Sequence, residues 1–108
     1  MANAFKNAGA TLSTTNRTSI YVCPGGTTAI LHAIYISNID GTSSVDVTVE
    51  ATIDGGSTYV KIGNLLPVPA RSTLVLHKPV KLEATDILAV TASVASDLDV
   101  FMSVLEVT

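Results

Sequence analysis

The chain is poor in charge and in aromatic residues, and it contains one cysteine and no tryptophan. Cys23 therefore has no partner for an intrachain disulfide, and we expect it to be a small apolar side chain near the end of a strand. The lack of tryptophan disfavours a carbohydrate-binding face, which usually presents exposed aromatic rings. No run of about eighteen apolar residues occurs, so the sequence predicts no transmembrane helix and no membrane partner.

Low charge is combined with high hydropathy. Charged residues make up 14% of the chain, against about 25% in an average soluble domain. Mean hydropathy is +0.47. Because large apolar patches on soluble proteins usually mark interaction sites, this composition favours surface that is buried against other copies of the chain or in a larger assembly. We therefore expect a homo-oligomer.

The basic residues are scattered rather than clustered. Six lysines and arginines against nine acidic residues give a formal net charge of −3. Nucleic-acid-binding proteins usually carry a basic stripe, so the sequence argues against a nucleic-acid partner. The first residues contain no apolar segment of signal-peptide length, and we expect the protein to stay in a cytoplasm until assembly. The basic residues are Lys6, Arg17, Lys61, Arg71, Lys78 and Lys81.

The most regular pattern lies in residues 43–54. The odd positions from 45 to 53 are apolar, and the even positions from 46 to 54 are polar. A period of two places one set on each face of a β-strand. We therefore predict a strand with one buried face and one solvent-facing side. The predicted solvent-facing residues are Asp46, Thr48, Glu50 and Thr52.

Residues 27–39 predict a strand that is apolar on both faces. Such a strand lies in the centre of a core or is covered by a partner. The last predicted strand, residues 98–107, has a mixed face as well, so we predict subunit contacts on these two strands. The two alternating sets in the first strand are Ala29, Leu31, Ala33 and Tyr35 on one side and Ile30, His32, Ile34 and Ile36 on the other.

Further strands are predicted between turn signals. Asp40-Gly41 and Asp54-Gly55-Gly56 are typical of hairpin turns, and residues 87–94 and 98–107 look like a closing hairpin. Two prolines in residues 65–69 restrict that segment to a sheet edge or a connection. About eight short strands predict an all-β antiparallel sandwich of jelly-roll type. The remaining predicted strands cover residues 18–23, 57–62 and 72–77, with a short strand or turn at 81–86.

Residues 1–17 are rich in Ala, Asn, Thr, Ser and Gly. We predict a flexible N-terminal arm over 1–17, followed by the sandwich domain over 18–108. The arm is either disordered or ordered on a neighbouring molecule, and in the second case Phe5 is its natural anchor.

The candidate catalytic and metal-binding residues have plainer explanations. Asp46 and Glu50 share a strand face but lie about 13 Å apart, too far to share a metal ion or to act as paired carboxylates. His32 and His77 form no spaced metal motif, and the sequence has no Gly-Xaa-Ser-Xaa-Gly nucleophile elbow. Asp97 and Asp99 flank a turn, which Asp97 can cap. We expect no enzymatic activity, no cofactor and no metal.

Three parts of the chain together resemble the small β-rich virion proteins of tailed bacteriophages. The first is ThrThrAlaIleLeuHisAlaIleTyrIleSerAsnIleAspGly at 27–41, and the second is ValProAlaArgSerThrLeuValLeu at 68–76. The third combines 81–93 with 98–107, which resemble the closing hairpin of those proteins. The similarity covers most of residues 20–107 and rests on turn chemistry and alternation. Similar proteins are structural, head-decorating or tail-associated.

The resemblance implies a non-enzymatic virion protein. The first interpretation is a capsid decoration (cement) protein. Such a protein oligomerises, with a trimer favoured, and binds the major capsid protein or other virion proteins. The alternative is a tail, neck or baseplate component that is structural or contacts the host. A free carbohydrate-binding module is the least favoured. The predicted interface residues are Phe5, Leu31, Ala33, Tyr35, Phe101 and Leu105.

Overall fold

The computed structural model describes residues 3–77 and 79–108, and in these residues nine β-strands form two antiparallel sheets. The predicted all-β antiparallel sandwich is confirmed. The strands are β1 (Asn3–Thr11), β2 (Thr18–Val22), β3 (Thr28–Asn38), β4 (Val45–Thr52), β5 (Tyr59–Val68), β6 (Thr73–Leu76), β7 (Val80–Leu82), β8 (Ile87–Ala92) and β9 (Leu98–Val107).

The topology is that of a jelly roll. The five-stranded sheet has the order β1-β9-β3-β6, and β7 also pairs with β3; the four-stranded sheet has the order β2-β8-β4-β5. Strands β6 and β7 pair with different parts of β3, around Ile36 and Ile30 respectively, so they occupy one interrupted position in the sheet. Two sheets of four positions each make the eight-stranded double-sheet arrangement of a jelly roll. The predicted strands already count β6 and β7 separately, and the ninth strand of the structure is β1, which lies in the predicted N-terminal arm.

Most connections cross between the sheets, which corrects two of the predicted hairpins. Strands β8 and β9 belong to different sheets, so the closing pair is not a hairpin. The turn at Asp40-Gly41 likewise leads from the five-stranded to the four-stranded sheet. The Asp54-Gly55-Gly56 turn does join paired neighbours, β4 and β5. Residues 65–68 of the proline-containing segment lie in β5, at the edge of its sheet, and Pro69 follows directly after the strand, as predicted.

The N-terminal segment is part of the five-stranded sheet. Strand β1 pairs with β9 in an unbroken register from Asn3↔Val107 to Thr11↔Asp99. Leu12, directly after it, is fully buried in the core. The predicted boundary at residue 17 is therefore not a boundary in this structure, and residues 3–12 are not a free arm. Met1 and Ala2, the start of the predicted arm, lie outside the described residues.

A β-bulge in β3 decides which side chains face inward. The register with β9 runs from Leu31↔Val104 directly to Ala33↔Ser103, so His32 is an extra residue without a partner on β9. An extra residue shifts the alternation of side chains by one position. Leu31 before the bulge and Ile34 after it are both buried. The assignment of the β3 side chains to two faces by strict alternation is therefore wrong.

The prediction that one side of β4 faces solvent is also wrong. Thr48, Glu50 and Thr52 are 7%, 3% and 2% exposed. They are covered by other parts of the same chain rather than by water, as the contacts of Thr48 show: its Oγ1 accepts a hydrogen bond from the backbone N–H of Leu65 at 3.2 Å. The opposite face of β4 behaves as predicted, because Val45, Val47 and Val49 are at most 1% exposed.

Candidate interaction surface

The outer face of the five-stranded sheet carries two rows of exposed or half-buried apolar side chains. In one row, Phe5, Leu105 and Ile30 are register partners on β1, β9 and β3. In the other row, Phe101, Tyr35 and Val75 are partners on β9, β3 and β6. Adjacent strands lie about 4.8 Å apart, so each row is continuous across three strands. We call this surface the outer apolar face; it consists of Phe5, Ile30, Tyr35, Val75, Phe101 and Leu105.

Exposure on this face is high for apolar side chains. Phe5 is 85% exposed, Phe101 47% and Tyr35 41%. The Tyr35 and Phe101 rings pack at a tilt of 42°, with centroids 6.3 Å apart. Tilted aromatic pairs at this distance are favourable and hold each other in place. The second row therefore presents a fixed apolar ridge rather than independent side chains.

Polar pairs border the ridge at one end. The next register row contains Thr11, Asp99, Ser37 and Thr73. Within it, the Thr11 hydroxyl donates to Asp99 at 2.6 Å, and the Ser37 and Thr73 hydroxyls share a hydrogen bond of 3.0 Å. An apolar centre with a polar rim is the usual composition of a protein–protein interface.

Four of the six predicted interface residues lie on the outer apolar face: Phe5, Tyr35, Phe101 and Leu105. Leu31 and Ala33 are 1% and 4% exposed within the chain itself, so they offer almost no contact area to a second molecule. This corrects the prediction for those two residues. Ile30 and Val75 were missed. The bulge at His32 places Ile30 outside, and Val75 follows only from the pairing of β6 with β3.

A second apolar feature lies between β5 and the β6–β7 position. A cavity of about 300 Å³ opens there, lined by residues of both sheets. Its lining is apolar apart from one imidazole, which belongs to His77. The lining residues are Leu31, Ile34, Ile62, Val75, Leu76, His77 and Val80. Val60 and Ile62 on β5 are 48% and 43% exposed, so the sandwich is less tightly closed on this side.

Glu50 is the centre of a charged cluster on the four-stranded sheet. Arg17 donates from Nε to Glu50 Oε1 at 3.0 Å and from its terminal nitrogen to Oε2 at 3.2 Å. The Lys61 Nζ lies 3.8 Å from Oε2. The Arg17 guanidinium also lies 3.9 Å above the centre of the Tyr59 ring. The hydrogen bond to Glu50 raises the pKa of Arg17 further above its ordinary value. The cluster explains how a carboxylate on β4 is buried.

A tyrosine–carboxylate contact joins the two sheets. Tyr21 on β2 donates its hydroxyl to Glu106 on β9 at 2.5 Å. Burial is the largest cause that raises the pKa of Tyr21, and the hydrogen bond to Glu106 adds to it. The neutral phenol is therefore the form that the folded protein stabilises. This contact holds the ends of β2 and β9 together across the sandwich.

Cys23 is a buried thiol, as predicted. It is 1% exposed, and its Sγ lies 3.3 Å from the backbone carbonyl of Thr27. Burial raises the pKa of the thiol and so opposes formation of the reactive thiolate.

The residues considered for catalysis or metal binding lie apart. His32 is exposed at the β3 bulge, and His77 lines the apolar cavity. Asp99 is paired with Thr11 at the rim of the outer apolar face. In residues 3–77 and 79–108, no group of three or more histidine, cysteine or acidic side chains is placed to hold a metal ion. The same residues include no helix long and apolar enough to cross a membrane.

Comparison with known proteins supports the class of fold. No protein-family model and no curated protein sequence matches the chain. Among solved structures, a chain of the acidic stable capsid of Helicobacter pylori bacteriophage KHP30 is similar with a TM-score of 0.56 and 11% identity, over 100% of this chain and 94% of that chain. The Eiger TNF of S. frugiperda has a TM-score of 0.48 and 14% identity, over 83% and 64% of the two chains. At these identities the first match shows a shared fold, and the second carries no argument.

Proposed function

We propose that the chain is a non-enzymatic structural protein of a bacteriophage particle, and more specifically a decoration subunit that self-associates, as a trimer, and stabilises the head. The observation that carries the proposal is the outer apolar face. Two continuous rows of apolar side chains on the five-stranded sheet, bordered by polar pairs, have the composition of a contact surface.

The structural likeness gives the proposal its biological setting. The similar chain comes from a bacteriophage capsid, and the matched shares show that the two chains have nearly the same length. The resemblance of residues 27–41, 68–76, 81–93 and 98–107 to small phage virion proteins points to the same setting. We propose the virion as the location and the major capsid protein or another virion protein as the partner.

The energy available from the outer apolar face indicates how the subunit acts. Burying a large apolar side chain completely contributes about 1.5–3 kcal/mol. Apart from Phe5, the residues of this face are already more than half buried, so together the six offer on the order of 5 kcal/mol. Association costs about 4–15 kcal/mol in lost freedom of motion. The face alone therefore supports weak self-association, and a stable complex needs further contacts with the particle or between copies.

The test is a pair of substitutions in the second row of the outer apolar face, which contains Tyr35 and Phe101. Tyr35→Thr with Phe101→Thr removes the aromatic ridge while keeping residues that suit a strand. The matched control is Ile53→Thr with Val94→Thr, two residues that are 68% and 44% exposed in turns elsewhere. Sedimentation velocity over a concentration series should show self-association for the wild type and the control, and a monomer for the ridge variant. A wild type that stays monomeric and binds no capsid, or a ridge variant that associates like the wild type, would overturn the proposal.

Copy number separates the head from the tail. A head-decoration protein is expected in hundreds of copies per particle, whereas a tail, neck or baseplate component is expected in roughly six to a few dozen copies because of the closed symmetry of those parts. Ligand binding by the isolated chain would instead favour a carbohydrate-binding module.

A further inference from the structure

Strand β1 is the most exposed strand in the described residues. Seven of its nine residues are exposed, and the other two, Ala8 and Ala10, are only half buried. Its partner in the sheet is β9 alone, and its second edge is free in the described chain. Leu12, at its end, is fully buried in the core, and Ala8 packs against the core from a half-buried position. The strand is therefore held by its hydrogen-bond ladder and by these two apolar contacts.

The hydrogen bonds described for the segment 3–12 are directed to one region, residues 96–107. The ladder joins β1 to β9 along its whole length. Beyond the ladder, the N–H of Leu12 donates to the carbonyl of Leu98 at 2.9 Å, and the N–H of Ser96 donates to the carbonyl of Leu12 at 2.7 Å. The Thr11 hydroxyl also donates to Asp99. A second copy of the chain would offer the same acceptors and donors, because its own residues 96–107 are identical.

The link between this segment and β2 has the properties of a hinge. Residues 13–16 are all exposed, and the hydrogen bonds described for them are local: Asn16 N–H to Thr14 Oγ1, and the Thr18 hydroxyl to the Asn16 carbonyl, both at 3.2 Å. Directly after the hinge, Arg17 is fixed to Glu50 by two hydrogen bonds. The chain is thus anchored at Leu12 on one side and at Arg17 on the other, with a short polar link between them.

We propose that residues 3–12 are exchanged between copies, so that β1 of one subunit pairs with β9 of its neighbour. Exchange of an identical element replaces each lost contact by the same contact in the neighbour, so it costs little beyond rearrangement of the hinge. The proposed exchange rests on the self-association proposed above. It supplies the further contacts between copies that a stable complex needs beyond the outer apolar face. Exchange also carries Phe5 into the row formed by Leu105 and Ile30 of the neighbouring subunit, which makes the two contact surfaces continuous.

The length of the hinge limits the geometry. From Leu12 to Arg17 the chain takes five steps, which span at most about 18 Å when fully extended. The β9 strand that accepts β1 must therefore begin close to Arg17 of the donating subunit. This requires subunits in direct contact and favours a closed ring in which every copy donates one strand and accepts one.

The test uses a disulfide to record which chain β1 pairs with. Asn7 and Ser103 are register partners, and their side-chain oxygens lie 3.5 Å apart. We place Asn7→Cys and Ser103→Cys in a Cys23→Ala background, assemble the protein at high concentration and oxidise it. Exchange predicts that most chains run as covalent oligomers on a denaturing, non-reducing gel. An intrachain disulfide, which runs as a monomer, would overturn exchange.

The control pair is Ser37→Cys with Thr73→Cys in the same background. These residues are also register partners with a polar contact, at 3.0 Å, but both lie outside the segment 3–12. They should form intrachain disulfides only, whether or not β1 is exchanged. Covalent oligomers from this pair would show that oxidation joins chains indiscriminately, and the gel result for Asn7 and Ser103 would then count against exchange.

A mixed sample, in which no chain carries both cysteines, makes an intrachain disulfide between positions 7 and 103 impossible. One chain carries only Asn7→Cys and the other only Ser103→Cys, and the two are refolded together. Exchange predicts a heterodimeric disulfide, and absence of this product contradicts it. Sedimentation separates the two proposals: an oligomer whose double-cysteine chains are linked only internally disproves exchange and leaves the proposed self-association standing.

Discussion

At the scale of single residues, the polar side chains of β4 show why alternation does not reveal exposure. Glu50 alternates with buried valines and lies on the outer face of its sheet, yet it is 3% exposed. Its carboxylate is covered by Arg17, which is distant in sequence and belongs to the segment predicted as a flexible arm. The sequence contains no local signal for this pair. Buried carboxylates need such partners, because an unpaired buried charge is strongly unfavourable.

Glu50→Gln tests the importance of this cluster. The substitution keeps the size of the side chain but removes the charge that binds Arg17 and Lys61. We expect a loss of about 1–3 kcal/mol in the free energy of unfolding, as for hydrogen bonds to charged groups. Asp46→Asn on the same face of β4 is the control and should change stability by less than about 0.5 kcal/mol. Chemical denaturation of the two variants measures the difference, and equal effects would show that the cluster contributes nothing.

Tyr21 predicts a loss of stability at alkaline pH. Its pKa is raised in the folded state, so folding favours the protonated phenol. This contribution is fully present below the ordinary tyrosine pKa of about 10 and is lost as the pH rises through the higher value of the folded state. Tyr21→Phe should lower stability at neutral pH by about 1–3 kcal/mol, because Glu106 loses its donor. It should also flatten the decline above about pH 10.

Thermal unfolding across the alkaline range provides the measurement. Tyr35→Phe, on the outer apolar face, is the control and should keep the decline seen in the wild type. If Tyr21→Phe and the wild type lost stability in parallel above about pH 10, the contact between Tyr21 and Glu106 would not be the cause.

At the scale of secondary structure, period-two patterns and turn residues predicted most of the strands. The strands at 18–22, 28–38, 45–52 and 98–107 lie within the predicted ranges. Which strands pair with each other in a sheet could not be predicted. A turn such as Asp40-Gly41 has the residues of a hairpin, but whether its strands pair or enter different sheets depends on the whole topology. The bulge at His32 is also invisible in the sequence, and it determines which residues form the outer apolar face.

Deletion of His32 tests the role of the bulge. Without this residue, Ala29, Leu31, Ile34 and Ile36 fall on one face of a regular strand. We expect the deleted protein to fold and unfold cooperatively with a loss of about 1–3 kcal/mol, because β6 and β7 must move closer along β3. Deletion of Tyr35 is the contrasting variant. This deletion places Ile34 and Ile36 on opposite faces of the strand, and it should prevent folding. Circular dichroism and thermal unfolding compare the two, and a failure of both would refute the assignment of His32 as the extra residue.

At the scale of the whole molecule, the jelly roll provides two surfaces with different properties. The four-stranded sheet covers its outer polar residues with Arg17 and other parts of the chain, whereas the five-stranded sheet leaves apolar rows uncovered. The low charge and high hydropathy of the sequence predicted such uncovered surface but not its position. The structure places it on β1, β9, β3 and β6. The segment that supplies Phe5 to this face is also the one that we propose to be exchanged.

The most direct test of the proposed function is the quantity of this chain in washed bacteriophage particles. Quantitative mass spectrometry against the major capsid protein gives the number of copies per particle. The proposal predicts a fixed ratio that corresponds to on the order of hundreds of copies, as expected for a subunit distributed over the head. Absence of the chain from purified particles would contradict the claim that it is a structural protein of the virion.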